Sequence, residues 1–269
     1  MIDTATSTPS RSSERPASEV RRGAGYWLSS YTTMLRFDVA SQRNTLPLAL
    51  LMQILFGTGM AIIYGFYLGR MSPGAMLYVV SGAPALAVIT TGMVLVPGVV
   101  GERKIAGTWD FIWSLPSPRS AAVASTFTVY TALSLPGIVV TLVLASWRYG
   151  LHLHLTPMVV PAFLLASLMA TSVGFGMAQA IRNPLVTNLI VNVLIFVVLV
   201  YSPVVFPIAQ LPGWLADIHQ VLPIYPLAQV LRASVSSGLV ENLGVSYAVL
   251  AAWTVGAWGA AAYVIGRRR

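Results

Sequence analysis

Cysteine is absent from the 269 residues, which removes disulfides and thiol chemistry and leaves the redox compartment undetermined. Charge is nearly as scarce: Asp, Glu, Lys and Arg together make up 9% of the chain, with a single lysine, against 56% apolar residues. A water-soluble domain of this length needs more charge to keep its surface wet, so the composition reads as membrane. The glycine-rich phosphate loop, GxxxxGK followed by Ser or Thr, does not occur, so the chain carries no nucleotide site of that kind. Histidine occurs only at 152, 154 and 219. The His152–His154 pair lacks the nearby Cys, Asp or Glu that a zinc site needs, which leaves a membrane metalloprotease without ligands.

What is present is a spacing of charges. Uncharged windows run over 44–69, 71–101, 120–147, 149–181, 183–216 and 242–266. Each is long enough for one helix across about 30 Å of hydrocarbon. The expected fold is therefore all-α and polytopic, with six transmembrane helices near 46–68, 74–99, 122–146, 157–180, 185–205 and 245–266. The first window is too long for the core of a signal peptide and reads as a retained span.

Six spans place both termini on one side, and the basic residues select which. With cytosolic termini, Arg11, Arg15, Arg21, Arg22, Arg36, Arg43, Arg103, Lys104, Arg119, Arg182 and Arg267 to Arg269 lie inside, and only Arg70, Arg148 and Arg232 lie outside. That bias follows the positive-inside rule of a cytoplasmic membrane protein. The formal charge of +8 is thus a topological signal, with attraction to anionic inner-leaflet lipid as a second effect, and calls for no nucleic-acid partner.

Residues 1–22 are rich in Ser, Thr, Pro and charge and read as a disordered cytosolic tail. In 23–43, Trp27, Tyr31, Leu35 and Val39 recur every four residues, with Met34 beside them and Arg36, Asp38 and Arg43 as the polar counterpart. This predicts either an interfacial helix or a cytosolic extension of the first span. Residues 44–269 form the membrane domain. Small residues four apart, Ala166, Ala170, Gly174 and Ala178 in the fourth span and Ala252, Gly256 and Ala260 in the sixth, let helices approach closely, within one subunit or between two.

The spans themselves hold no ionisable group, which argues against an ion-driven transporter. Their polarity comes from hydroxyls and amides. Asn188 and Asn192 share one face of the fifth span, as a path lining or as helix glue, and Phe56, Tyr64, Phe196 and Tyr201 are further lining candidates. Any route they form suits an amphiphile better than a bare ion.

Two stretches interrupt the pattern. GERKIAGTWDFIWSLPSPRS, residues 101–120, is a charged island between the second and third spans. A helix over 102–114 places Ile105, Thr108, Trp109, Ile112 and Leu115 on one side and Arg103, Gly107 and Asp110 away from it, and Pro116 and Pro118 end it. The second stretch, YSPVVFPIAQLPGWLADIHQVLPIYPLAQVLRA at 201–233, contains an uncharged window at 218–231 too short to span.

Through Glu102, Arg103, Gly107, Thr108, Asp110, Pro116 and Arg119, the first stretch resembles the cytosolic signature of type-2 ATP-binding-cassette (ABC-2) export permeases. The second, through Phe206, Pro207, Leu211, Pro212, Trp214, Leu222, Pro223, Tyr225, Pro226 and Arg232, resembles that family's segment after the fifth span. The likeness extends from about Tyr26 to Ile265 and is nearer to the drug and antibiotic export branch. Trp109 and Trp113 are bulkier than the residues usual beside the first motif.

The resemblance implies a permease subunit that is not itself an enzyme and holds no cofactor. ATP and Mg would sit in a separate ATPase, present in two copies, and a second copy of the permease would complete the path as a homodimer. It implies a cytosolic coupling helix between spans two and three, carrying Glu102, Arg103, Gly107, Thr108, Asp110 and Arg119. It also implies short re-entrant outer helices between spans five and six, with Phe206, Pro207, Pro212, Trp214, Pro223 and Tyr225 at the outer gate. The substrate expected is a hydrophobic or amphiphilic drug or antibiotic. The alternatives are export of a lipid-linked polysaccharide and a non-transporting scaffold or sensor.

Overall fold

In a computed structural model of the chain, residues 23–67, 73–150, 153–236, 238–240 and 242–267 are described. The expected tail at 1–22, Arg70, His152, Arg268 and Arg269 lie outside them. All regular structure among the described residues is helical. The order is α1 (Ala24–Ser41), α2 (Leu46–Tyr67), α3 (Pro73–Ile89), a π-helical turn (Thr90–Leu95), α4 (Val96–Ile105), α5 (Thr108–Ser114), α6 (Arg119–Tyr149), α7 (Val159–Ala180), α8 (Pro184–Tyr201), a 3-10 turn (Ile208–Gln210), α9 (Gly213–Val221), α10 (Ile224–Val235) and α11 (Leu243–Arg267).

Five helical stretches are long and apolar enough to cross a membrane: Gly74–Ile105, Arg119–Tyr149, Val159–Ala180, Pro184–Tyr201 and Leu243–Ala261. The protein is an all-α multi-pass membrane protein. Helix α2 adds 22 residues without a charge. The ends of the helices follow local chemistry. Asn183 caps α8, its side-chain oxygen accepting from Leu185 N–H at 2.9 Å, with Pro184 at the first helical position. Gly150, at φ 61°, closes α6 with its N–H on the Ser146 carbonyl.

The central element is the rod made by α3, the π-helical turn and α4. Its spanning window is 83% buried, against 17% for α8 and for α11. Where it meets α7 the backbones nearly touch: a Cβ at Gly92 would fall 2.5 Å from Ala170. The small stripe Ala166, Ala170, Gly174 and Ala178 is therefore buried within one subunit. The corresponding residues of α11 differ, since Ala252, Gly256 and Ala260 are exposed. One apolar cluster, including Leu86, Ile89, Met169, Leu227 and Leu250, joins α3, α7, α10 and α11. A second, including Met34, Trp109, Ile112, Phe127, Tyr130 and Phe175, ties α1 and α5 to α6 and α7.

Candidate functional site: the α4–α5 elbow and the α9–α10 pair

The helix expected over 102–114 is two helices. Helix α4 runs through Glu102 and Arg103 to Ile105, and the chain then turns at Gly107, φ 68°, before α5 begins at Thr108. The cause is local: Ala106 N–H bonds the Glu102 carbonyl at 2.9 Å and Gly107 N–H the Lys104 carbonyl at 3.3 Å. The turn needs the left-handed backbone that glycine adopts without a Cβ penalty. The expected apolar face survives in part. Trp109 and Ile112 are each 4% exposed, but Ile105, on the far side of the turn, is 69% exposed.

Aromatic packing holds α5 against the membrane domain. Trp109 stacks on Trp113 at 5.0 Å and meets the Phe175 ring of α7 edge-on at 5.9 Å. Phe127 of α6 meets Phe175 at 5.6 Å and Trp258 of α11 at 5.0 Å. The Arg119 guanidinium lies 5.3 Å from the Trp113 ring. Phe111 and Asp110, on the opposite side of α5, are exposed. Glu102 is also exposed, while Gly107 at the turn and Thr108 at the start of α5 are half-buried.

Arg103 and Asp38 depart from the expected pattern. Asp38 is 3% exposed and Arg103 7%, because they form an ion pair of 2.8 Å between α1 and α4. Ser125 and Thr126 of α6 donate to the other carboxylate oxygen at 2.6 and 3.3 Å. The charges thus lie on the packed side of both helices. Beside them Tyr130 donates to Gln42 Oε1 at 2.6 Å, Tyr31 to Thr128 at 2.8 Å and Trp27 to Ser120 at 3.0 Å. These bonds fasten α1 along α6. The Lys104 ammonium donates to the carbonyls of Ala178 and Ile181, the latter at 3.0 Å, and so joins α4 to the end of α7.

At the other end, α10 is wedged among α3, α7 and α11. Arg232 is wholly buried. Its guanidinium lies 3.6 Å from the Tyr78 ring centroid of α3 and donates to Gln229 Oε1 at 2.9 Å and to the Val204 carbonyl at 2.5 Å. Gly82 makes this approach possible, since a Cβ there would fall 2.7 Å from Arg232 Nη2. Burial pulls the arginine down to about 10, so it stays charged at neutral pH. Burial also lowers His219, in α9, from its ordinary range.

Phe206 packs on the central cluster, Pro223 is buried and Tyr225 half-buried, accepting from the Gln229 amide. Pro207 and Pro212 are exposed, and Trp214 is 66% exposed.

The pathway candidates are not brought together. Phe56 packs against the central cluster. Asn188, Asn192, Phe196 and Tyr201 lie exposed on α8. Tyr64 belongs to α2, but its side chain lies outside the described residues. Asp38, Lys104 and Arg232 carry interactions that composition alone does not reveal. For Asp38 a signal existed: Ser30, Met34 and Asp38 are four apart and share the buried stripe of α1.

Among the described residues, no three His, Asp or Glu side chains gather where they could hold a metal ion. Residues 71–263 match the profile of a family described as ABC-2 family transporter protein. No curated protein matches the chain.

Proposed function

This chain belongs to the ABC-2 family of transporter proteins, and from that premise we propose that it is the permease subunit of an ATP-driven exporter of hydrophobic or amphiphilic molecules such as drugs and antibiotics. It sits in the cytoplasmic membrane with both termini cytosolic, α2 serving as the first of six spans. It works as a homodimer with two copies of a separate ATPase that bind ATP and Mg. Residues 23–43 lie at the inner interface, and 44–269 are the transport domain, in contact with lipid.

The observation that carries this reading is the α4–α5 elbow. Helix α5 turns Phe111 and Asp110 outward while Trp109 and Ile112 are locked into an aromatic cluster shared by α6 and α7. A push on its exposed side therefore reaches three helices at once. The turn at Gly107 passes the same displacement into the α3–α4 rod, the most buried part of the domain. Glu102, Gly107, Thr108, Asp110 and Arg119 form the coupling surface, and Arg103 braces it from beneath through its ion pair with Asp38.

In the transport cycle, ATP closes the partner's nucleotide domains, and the coupling helices carry that movement to the spans. The outer segment that leads into α9 and α10 then yields at Phe206, Pro207, Pro212, Trp214, Pro223 and Tyr225. Asn188, Asn192, Phe196 and Tyr201, exposed on α8, face the second copy and contribute to the route, with Phe56 and Tyr64 on the first span. Hydrolysis resets the complex.

The test is purification of the tagged chain in mild detergent, with mass identification and ATPase assay of what accompanies it. A nucleotide-binding subunit whose ATPase rate rises with an amphiphile is expected, and Glu102→Ala is expected to abolish the rise while leaving the dimer intact. Correctly extracted permease that repeatedly brings no ATPase overturns the reading.

A further inference from the structure

A cavity of about 610 Å³ opens beside the elbow, between the end of α1, the first half of α2, the π-helical turn and α4. It lies within a single copy of the chain. None of the pathway candidates lines it. Its volume is in the range of drug-sized binding sites.

Its walls are graded in polarity. Leu48 and Met52 of α2 stand on one side, 61% and 58% exposed, and Val94, Leu95 and Val99 on the other. At the cytosolic end stand Glu102, Arg103 and Gln42. An apolar slot with a polar floor, at the depth where a span leaves the inner interface, matches a molecule that lies in the inner leaflet with its polar end toward the cytosol.

The charges on the floor indicate the sign of that polar end. Arg103 is neutralised by Asp38 at 2.8 Å, and its partner accepts two further hydroxyl bonds. Gln42 is engaged with Tyr130. The Glu102 carboxylate has no ion-pair partner among the described residues. The floor therefore carries one uncompensated negative charge, which favours a cation and repels a phosphate or sulfonate.

A second, independent observation lies further in. Gln53, seven residues and so about 10 Å along α2 from Leu46, lines the same cavity and is only 2% exposed. Neither its amide nitrogen nor its oxygen has a hydrogen-bond partner among the described residues. It lies against Gly137 of α6, where a Cβ would come within 2.8 Å of Oε1. A buried amide with both ends unmet is costly in so apolar a setting, and a ligand offering a donor and an acceptor at that depth relieves it.

We propose that this cleft is an inner-leaflet binding site for lipophilic cations that also carry a hydrogen-bonding amine, amide or ester, with Gln53 reading the polar group and Glu102 the charge. The site deepens the exporter reading and rests on it for the direction of movement: the molecule is taken from the inner leaflet before it reaches the shared path.

The test uses the purified permease, without ATPase, in phosphatidylcholine nanodiscs. The probe is rhodamine 6G, a lipophilic cation with amine N–H groups and an ester carbonyl, followed by fluorescence anisotropy. Saturable binding at least tenfold tighter than that of the anionic 1-anilinonaphthalene-8-sulfonate is expected. Ala49→Trp, which fills the slot, and Gln53→Leu are each expected to weaken rhodamine 6G binding about tenfold, whereas Leu189→Trp on the far, exposed side of α8 leaves it unchanged. Should Ala49→Trp fail to fold, Leu48→Trp introduces the same bulk at an exposed position of the wall. Slot and Gln53 variants that elute and melt like the parent yet bind the probe as well as it does overturn the site, as does tighter binding of the anion. A co-purifying ATPase with binding indifferent to these variants removes the site alone. Binding that obeys them, with no ATPase ever recovered, removes the exporter reading alone.

Discussion

Arg103 and Asp38 meet at 2.8 Å beneath the elbow, joining α1 to α4. Both side chains are over nine-tenths buried, and Ser125 and Thr126 complete the carboxylate's hydrogen bonds. Removing one partner leaves a buried charge without compensation, a loss of about 3 to 5 kcal/mol in comparable sites. Asp38→Ala and Arg103→Ala are each expected to lower the melting temperature in detergent sharply. The double variant is expected to lose clearly less than the sum, which a double-mutant cycle measures; additive losses contradict a direct coupling.

Gly107→Ala separates folding from coupling. The left-handed turn penalises any Cβ by about 1 to 2 kcal/mol, yet nothing lies within 4 Å of a Cβ there, so the domain still packs. The expected result is a variant that reaches the membrane and binds the ATPase but transports poorly. Transport and substrate-stimulated ATPase rates, set against surface expression, check this.

Arg232 holds α10 against α3 and the segment at Val204 through a stack on Tyr78 and a bond to the Val204 carbonyl. Lysine keeps the charge but loses the planar face and fork. Arg232→Lys is expected to cost about 2 kcal/mol and to open residues 202–223 to protease. Tyr78→Phe retains the ring and stays near the parent, whereas Tyr78→Leu behaves like Arg232→Lys. Limited proteolysis of the three proteins decides it.

His219 supplies a pH dependence. Burial lowers its folded value below the ordinary 6.5 or so, so the unfolded chain binds the proton more readily. Its contribution to stability is full above about pH 6.5 and is lost as pH falls from there toward the folded value. Melting temperature measured from pH 8 to pH 5 is expected to drop on the acid side, and His219→Gln to flatten that drop. An unchanged slope in the variant assigns the effect to another group.

Five of the six expected spans were legible because charges are expensive in hydrocarbon, so the few that exist mark the ends. The buried stripe of α7 was legible for a similar reason, since small residues four apart have little use except close packing. The elbow was half legible. Its motif stood out, but the periodicity of 102–115 ran through Gly107 as though the helix continued, and only the backbone hydrogen bonds reveal the turn. The burial of Arg103 and Arg232 was hidden because a charged residue reads as a boundary until its partner from a distant helix is known. Helix α8 illustrates the converse: as apolar as its neighbours, it is left mostly uncovered, a property of tertiary arrangement that no local pattern encodes.

The most direct measurement uses the absence of cysteine. Phe111→Cys places a single thiol on the exposed side of α5, at a position where the parent side chain is 58% exposed. A short bifunctional thiol-to-amine cross-linker is applied to membranes containing the tagged chain, followed by mass identification of the product. The expected product is a cross-link to a nucleotide-binding subunit whose yield changes when ATP is added, with none from Trp147→Cys at the opposite end of α6. Efficient labelling of the thiol introduced on α5 with no ATPase attached, in membranes where the permease is intact, contradicts the coupling role of this helix.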